Sequence, residues 1–319
     1  MKCQSATGHR PDTGMKYMKQ MPLTWIVEPT DEGRSLKELL YSRLLLSHSL
    51  VVKLKQQHKI AVNRIPVFTN YRLTGGDLIS VDLDLGERSE ILPEAVPLKI
   101  VYEDEDVLVV DKPAGMPVHP SNKRHQTGTL ANAVTYYWLQ SGHNALFRPI
   151  NRLDKDTSGL VLIGKNQFAH QSIFRQQQKH RVERCYYALV DGAAMPDHGR
   201  IAEPIARRED RSRKRIIAPH GQPAVTNYVV LERYLQHTLL QLHPETGRTH
   251  QIRVHLSFAG HPVCGDELYG RSSPLIARQA LHAGEITFNH PRTGSAITLA
   301  AALPDDMRAV LVTLQQQGA

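Results

Sequence analysis

Asp154 lies in a short polar segment, NRLDKDTSG at residues 151–159, which leads directly into an apolar stretch, LVLI at residues 160–163. A carboxylate on a turn at the end of a strand is held at the edge of a sheet, where a nucleophile or a general base is useful. The alternative is an ordinary turn, in which Asp and Ser side chains bond to their own backbone. The residue types alone leave both interpretations open.

A second segment, TGRTHQIRVH at residues 246–255, combines a strand break with the start of a helix. Gly247 is expected to end the preceding strand and Thr249 to cap the helix, on which His250 and Arg253 share one side. An arginine near a carboxylate favours the charged form of that carboxylate. Taken singly, Arg253 also fits a structural ion pair and His250 an ordinary helix residue.

Two further segments carry groups that suit a polyanionic or aromatic ligand. At residues 181–190 a basic turn precedes a strand, so Tyr186 and Tyr187 face opposite sides of the sheet. One tyrosine is expected to pack in the core, and the other can meet a ligand ring or pack as well. The basic run at residues 207–215 can grip phosphates or form a solvated loop.

Motifs for metals and nucleotide cofactors are absent from the sequence. It contains no H-E-x-x-H, no paired C-x-x-C, no Walker A motif and no G-x-G-x-x-G. Asp154 to Ser158 nearly fit the D-x-D-x-T signature of haloacid-dehalogenase-type phosphatases, with Ser158 in place of Thr. That signature needs an apolar strand immediately before the first aspartate, and FRPI at residues 147–150 is a poor match.

Composition limits the class of protein. The 319 residues suffice for two domains, and 41% hydrophobic residues suffice for a sizeable core. The net charge of +8 favours a polyanionic partner such as nucleic acid, or simply a solvated basic surface. We expect a cytoplasmic protein for three reasons. The three cysteines form no paired motif, the first twenty residues contain no apolar leader, and no apolar run is long enough for a membrane span.

The elements that must position these residues fall into two predicted domains. Residues 1–20 are expected to be a disordered tail, residues 21–86 a small helix-helix-hairpin domain, residues 87–97 a linker and residues 98–319 an α+β domain with a mixed, largely antiparallel sheet. In the small domain Ser35, with Glu38 three residues later, is expected to cap a helix over residues 35–47, and a second helix covers residues 49–57. Lys53, Lys55 and Arg64 contribute to a basic rim.

In the large predicted domain the apolar patterns indicate six strands and three helices. The predicted strands cover residues 107–110, 160–163, 186–190, 227–231, 238–242 and 297–300. The predicted helices cover residues 130–140, 170–178 and 252–259.

Six ordered motifs together resemble the RluA/RluD-type family of RNA pseudouridine synthases, from about residue 30 to Asp306. They are DKPAG with VHP at residues 111–120, NRLDKDTSG at 151–159, TGRTHQIRVH at 246–255, GHP with GD at 260–266, ALHA at 280–283 and LPDD at 303–306. Residues 35–85 resemble the RNA-binding domain named after the fourth small-subunit ribosomal protein. Two positions depart from the pattern: Asn151 replaces the family's usual His, and Asn63-Arg64 replaces Asn-Gly.

The resemblance implies conversion of uridine to pseudouridine in structured RNA, most simply large-subunit ribosomal RNA, with transfer RNA as the second choice. It assigns the catalytic carboxylate to Asp154, its ion-pair partner to Arg253, and to Tyr186 a ring that stacks on the flipped base. The expected RNA contacts are Arg152, Lys53, Lys55, Arg64, Arg248 and His250. The isomerisation requires no metal and no cofactor, and we expect a monomeric enzyme. The alternative is a non-catalytic RNA-binding or ribosome-assembly protein.

Overall fold

The computed structural model of the chain describes residues 21–317 except residues 88, 121–125, 144, 194 and 211–213. The predicted disordered tail, residues 1–20, and the centre of the basic run, residues 211–213, lie outside the described residues. No helix among the described residues has the length and apolar character needed to cross a membrane.

The N-terminal part of the chain folds as a small unit of two helices and a four-stranded antiparallel sheet. Its elements are β1 (Leu23–Ile26), a 3₁₀ turn (Pro29–Asp31), α1 (Leu36–Ser42), α2 (His48–Gln56), β2 (Ile60–Val62), β3 (Ile65–Pro66) and β4 (Leu78–Val81). The strand order is β1–β4–β2–β3. A serine caps the start of each helix: the hydroxyl groups of Ser35 and Ser47 accept hydrogen bonds from the backbone N–H three residues later.

The rest of the chain is built on one large sheet. Its strands are β5 (Lys99–Glu103), β6 (Val107–Lys112), β7 (Arg148–Pro149), β8 (Ser158–Gly164), β9 (Glu183–Asp191), β10 (His198–Ile201), β11 (Ile205–Arg207), β12 (Arg215–Ile217), β13 (Thr226–Arg233), β14 (His237–Pro244), β15 (Leu281–Asn289) and β16 (Ala296–Ala300). Its helices are α3 (Leu130–Gln140), α4 (Gln167–Gln178), α5 (Gln251–Phe258) and α6 (Asp305–Gln317). The sheet runs β10–β13–β14–β9–β15–β8–β6–β5, with β16 beside β15 and β7 beside β8, while β11 and β12 form a separate hairpin.

The middle of the large sheet contains a parallel pair, β8 beside β15, between antiparallel neighbours. The two strands approach so closely that a Cβ on Gly159 would lie 2.2 Å from the carbonyl oxygen of Ala283. Gly159 also has a φ of +111°, so both space and backbone conformation require glycine there. Ala283 pairs in turn with Tyr186 of β9, so the start of β8 and the first half of β9 meet at the centre of the sheet.

Both faces of the sheet are covered. On β6, Leu108 and Val110 belong to the larger core cluster, which includes Trp138 of α3 and Met307 of α6. Val107 and Val109 belong to the opposite cluster, which α4 covers. Burial on both sides explains why β6 and β8 are continuous apolar runs without a polar alternation.

Helix α4 connects the large sheet to the N-terminal unit. Phe168 of α4 packs in the core of the N-terminal unit. Lys53 donates to Glu87 at 3.0 Å and to Gln167 at 3.3 Å, and Arg175 donates to the carbonyl of Leu45 at 2.5 Å. The N-terminal unit is therefore packed against the rest of the chain by apolar and polar contacts together.

The expected fold class, α+β with a mixed and largely antiparallel sheet, is confirmed. The first helix ends at Ser42, five residues earlier than expected, because Leu45 adopts a positive φ of 51° and turns the chain into α2. Residues 82–98, which include the predicted linker 87–97, contain no helix or strand in their described part. The predictions missed β1, β15 and α6 among other elements, since their apolar residues are few or interrupted by polar ones.

Candidate active site

The turn before β8 fixes the backbone on which Asp154 stands. The carbonyl of Asp154 accepts a hydrogen bond from the N–H of Thr157 at 3.2 Å. The ammonium of Lys112 donates to the carbonyl of Lys155 at 3.0 Å, and Arg278 donates to that of Asp156 at 3.0 Å. Because neighbouring residues are held from two sides, the turn is a rigid support for its carboxylate.

Lys112 is fully buried and ties this turn to the loop that follows β6. Besides Lys155, its ammonium donates to the carbonyls of Pro113 and Met116, each at 2.8 Å. Burial lowers the pKa of Lys112 to about 7, although the charges of Asp156 and Asp154 oppose that shift. The three carbonyls satisfy all three N–H donors of the ammonium and so stabilise its charge, whereas burial of the side chain disfavours that charge.

Arg253 of α5 lies between two carboxylates. Its Nη1 donates to Oδ2 of Asp154 at 2.8 Å, while Nε and Nη2 donate to both oxygens of buried Asp266 at 2.7 and 2.8 Å. Burial opposes the guanidinium charge, but the hydrogen bonds and charges of the two aspartates outweigh it and raise the pKa of Arg253. The fork-to-fork pair with Asp266 thus aims the remaining nitrogen at Asp154.

His250 approaches the same carboxylate from the start of α5. It is the residue before the helix and adopts a left-handed backbone conformation, with a φ of 58°. The expected cap by Thr249 is wrong. The side-chain oxygen of Gln251 instead accepts hydrogen bonds from the N–H of Arg248 at 3.0 Å and from the hydroxyl of Thr246 at 2.7 Å.

The tautomer of His250 follows from its hydrogen-bond network. The hydroxyl of Tyr269 accepts from the N–H of Arg215 at 2.7 Å, so its own proton is available to Nδ1 of His250 at 2.8 Å. We therefore assign the imidazole proton to Nε2, which lies 3.9 Å from Oδ1 of Asp154. Burial lowers the pKa of His250 despite the attraction of Asp154, which favours a neutral ring with an N–H directed at the carboxylate.

Tyr186 lines the same cleft from β9. It is buried, and burial raises the pKa of its hydroxyl, which therefore stays protonated at neutral pH. Tyr187 is half-buried and follows it on the alternate position of the strand, as expected. Cys185, two residues before Tyr187, accepts a hydrogen bond from Gln241. Arg184 donates to the carbonyls of Pro244 and Thr246 at 3.3 and 3.2 Å and so supports the loop before α5.

These side chains border a cleft of about 660 Å³. Among its described lining residues, Asp154 is the one carboxylate, whereas five are arginines: Arg152, Arg184, Arg215, Arg248 and Arg253. The volume is within the ~300–1,000 Å³ typical of ligand sites. The cleft therefore suits an anionic ligand that places one reactive group near Asp154.

The structure places the predicted RNA contacts in two regions. Arg152, Arg248 and His250 line the cleft. Lys55 and Arg64 are exposed on the N-terminal unit, whereas Lys53 is engaged by Glu87 and Gln167. In the basic run, Arg208 pairs with Asp210 at 2.8 Å and Arg215 lines the cleft.

Asn151, which departs from the family pattern, has a structural role beside Asp154. Its Nδ2 donates to the carbonyl of Leu160 at 3.0 Å, and its Oδ1 accepts from the N–H of Leu162 at 2.9 Å. These two bonds fasten the segment before Asp154 to β8.

Sequence reasoning missed the side chains that support the catalytic candidates. Lys112 and Asp266 occur in the DKPAG and GD motifs, to whose charged residues the resemblance assigns no role. Tyr269 lies three residues beyond Asp266 and has its ring centroid 5.1 Å from Cζ of Arg253. The position of Lys112 and Asp266 as charged residues inside recognisable motifs is the sequence signal that could have found these two.

In the part of the chain that the structure describes, one cluster has donor atoms close enough together for a metal ion. It consists of Asp191, His237 and Cys264, whose donor atoms lie within 4.8 Å of one another, and none of them lines the cleft. Burial raises the pKa of the Cys264 thiol, which disfavours the thiolate that a metal needs. Asp191 also accepts a hydrogen bond from Arg271 at 3.2 Å.

The comparisons with known proteins agree with one another. A family model described as RNA pseudouridylate synthase matches residues 106–258, which contain Asp154, Tyr186 and Arg253. The RNA pseudouridine synthase YlyB of Bacillus subtilis (strain 168) is 42% identical over 264 residues, covering 82% of this chain and 87% of the relative. Ribosomal large subunit pseudouridine synthase D of Nitrosomonas europaea is 38% identical over 270 residues, covering 82% and 78%.

A solved structure gives the same result for the fold. Human RNA Pseudouridylate Synthase Domain Containing 1 matches with a TM-score of 0.55 and 28% identity, covering 70% of this chain and 95% of that one. The apolar strand β8 follows Asp154, whereas the phosphatase signature needs a strand before it. The degree of identity and the coverage decide between the alternatives, and the chain belongs to the RluA/RluD-type family of RNA pseudouridine synthases.

Proposed function

We propose that this synthase isomerises a uridine of large-subunit ribosomal RNA and that Asp154 is its catalytic carboxylate. The observation that carries the proposal is the position of Asp154, the one carboxylate among the described lining residues of a cleft that five arginines border. In the reaction the bond from N1 of uracil to the ribose breaks and a bond from C5 to the same ribose carbon forms. C5 then loses its proton and N1 gains one, so the atoms balance without an oxidant or a reductant.

The geometry distinguishes the two oxygens of Asp154. Oδ2 is occupied by Arg253 at 2.8 Å. Oδ1 lies 3.9 Å from His250 and receives no hydrogen bond from another described residue, so it is the oxygen available to the substrate. Attack on the base, attack on the sugar and removal of a sugar proton all require such a fixed and accessible carboxylate.

Tyr186 and Arg152 suit the handling of a flipped nucleotide. Extruding a stacked uridine costs a few kcal/mol, and stacking on an aromatic ring contributes about 1–3 kcal/mol. The Tyr186 ring borders the cleft. Because burial keeps its hydroxyl protonated, the hydroxyl can help remove the C5 proton only as a relay that passes its own proton to a second acceptor in the same step. The exposed side chain of Arg152 can contact phosphate or fill the gap that the uridine leaves.

The choice of RNA rests on relatives and on charge. Several relatives at 34–39% identity carry the name ribosomal large subunit pseudouridine synthase D, which supports ribosomal RNA as the substrate here. We further propose that residues 21–86 are a separate RNA-binding domain that holds the RNA through Lys55 and Arg64, while Arg248 contacts it at the cleft. We also propose that the protein is a monomer and acts in the cytoplasm.

Release of hydrogen from C5 tests the substrate directly. The purified protein is incubated with transcripts of large-subunit ribosomal RNA and of transfer RNA, each made with uridine tritiated at C5. We expect tritium release to water from the ribosomal transcript, in an amount that corresponds to a single uridine per transcript. Release from transfer RNA alone would contradict the ribosomal proposal.

A further inference from the structure

Arg215, the first residue of β12, has a charged side chain without a carboxylate partner among the described residues. Its guanidinium lines the cleft, and its Nε is buried without a hydrogen-bond partner. Leaving a buried charged donor unsatisfied costs more than leaving a neutral one, so such a group is expected to have a partner in the working complex.

The other arginines of the cleft have hydrogen-bond partners or are exposed, although the Nε of Arg184 is also buried without a partner. Arg253 is held by two aspartates, Arg184 donates to two backbone carbonyls, and Arg248 donates to the carbonyl of Pro223 at 3.1 Å. Arg152 is exposed. Because Arg253 already pairs with Asp154, the one carboxylate among the described lining residues, Arg215 is suited to bind an anionic ligand that enters the cleft.

The backbone of Arg215 is fixed relative to the candidate catalytic group. Its N–H donates to the Tyr269 hydroxyl at 2.7 Å, and Tyr269 in turn contacts His250, the neighbour of Asp154. Arg215 also pairs with Arg207 across the β11–β12 hairpin, and Ile217 of the same strand packs against a small core cluster that includes Val254 of α5. The backbone that carries the Arg215 side chain is therefore fixed beside the cleft.

We propose that Arg215 binds a phosphodiester group of the RNA next to the uridine that is isomerised. The proposal rests on the proposed function, since it takes RNA as the ligand of the cleft. A guanidinium presents a planar fork that matches two phosphate oxygens. A contact to a phosphate holds the RNA backbone in register on the protein. The phosphate stays charged when the base leaves the stack, so this contact persists while the uridine is flipped out.

The test is a double-substitution cycle between the protein and the RNA. The substrate is a short synthetic RNA centred on the uridine that the protein modifies, and in a series of variants one phosphodiester at a time is replaced by an uncharged methylphosphonate. The proteins are the wild type, Arg215→Gln, and Arg200→Gln as the matched control, since Arg200 is exposed on β10 and does not line the cleft.

We expect one methylphosphonate position at which the RNA concentration needed for half-maximal rate rises about 10- to 100-fold, both for the wild type and for Arg200→Gln. For Arg215→Gln, the half-saturating concentration of the fully charged RNA should be raised by a similar factor. The methylphosphonate at that position should raise it little further. The rate of Arg215→Gln at saturating RNA should stay within about threefold of wild type, which also shows that the variant is folded.

Additive losses at every position, or an unchanged half-saturating concentration for Arg215→Gln, would overturn the proposal. Asp154→Asn is measured on the same RNA. Turnover by that variant would contradict the proposed catalytic carboxylate and leave the Arg215 cycle to be judged on its own result.

Discussion

The cleft and the N-terminal unit use charged side chains in opposite ways. In the cleft, Arg253 is buried between Asp154 and Asp266, at distances of 2.7–2.8 Å. On the N-terminal unit, Lys55 and Arg64 are exposed and have no ion pair with another described residue. Fixed geometry is what a reacting group requires, whereas affinity for a polyanion requires cations that are free to replace counterions.

We expect the largest loss of kcat from a substitution at Asp154. Asp154→Asn keeps the shape of the side chain but removes the charge that we propose acts on the uridine, so kcat should fall by about 10²–10⁴-fold or more. RNA affinity should change by less than about threefold, because affinity comes from the cations. Asp156→Asn, two residues along the same turn and outside the cleft lining, is the control and should retain activity. Equal losses in both variants would contradict a special role for Asp154.

The next effect concerns the buried support of Arg253. Asp266→Asn removes one charge from a buried pair, which is expected to lower the free energy of unfolding by about 3–5 kcal/mol. It should also reduce kcat by about 10²-fold, since Arg253 no longer aims at Asp154 with a fixed geometry. Urea unfolding and tritium release measure the two losses.

Asp305→Asn provides a surface comparison, because Asp305 pairs with Arg308 on the exposed surface of the protein. That variant should leave both stability and kcat nearly unchanged. If Asp266→Asn behaved in the same way, buried and exposed ion pairs would not differ as we argue.

A third prediction compares a buried lysine with an exposed one through pH. Burial lowers the pKa of Lys112 from 10.5 to about 7, so between these values the unfolded chain holds a proton that the folded chain has lost. The free energy of unfolding contributed by Lys112 therefore rises with pH across this window and is constant below it. Urea unfolding of wild type and Lys112→Met is measured at about pH 7 and about pH 9.

Lys112→Met should lose this rise with pH and be less stable at both values, because three carbonyls lose their donor. Lys55→Met, the exposed counterpart, should follow the wild-type dependence. Parallel curves for wild type and Lys112→Met would show that the buried ammonium does not titrate in this range.

The smallest effect is expected at the exposed cations. Lys55→Ala with Arg64→Ala should raise the Kd for RNA by roughly tenfold and reduce the salt slope of log Kd by about 0.7 per lost contact, without changing kcat at saturating RNA. Lys53→Ala is the matched control, since its ammonium binds Glu87 and Gln167. A larger effect from Lys53→Ala than from the pair would reverse our assignment of the RNA-facing side.

The sequence predicted the fold class and part of the site for physical reasons that can be named. Continuous apolar runs revealed β6 and β8, because both faces of those strands are buried. The resemblance brought Asp154 and Arg253 together across 99 positions, and the structure places them 2.8 Å apart. The Thr249 cap is wrong because the helix begins one residue later, after His250, and Gln251 instead ties the helix start to Arg248 and Thr246.

Other parts of the site could not be predicted from local patterns. The contact of Tyr269 with both Arg215 and His250 joins three distant segments, and no spacing rule connects them. The orphan Nε of Arg215 becomes visible only once the neighbours of β12 are known. The same holds for Lys112, whose three acceptors come from two separate loops.

The central claim, that Asp154 of this chain makes pseudouridine in ribosomal RNA, is tested most directly by pseudouridine mapping of total cellular RNA. Three strains are compared: wild type, a deletion, and the deletion carrying Asp154→Asn at normal protein level. We predict that the same large-subunit site loses pseudouridine in both mutant strains. A site that stays modified in the Asp154→Asn strain, or the absence of any lost site in the deletion, would contradict the account.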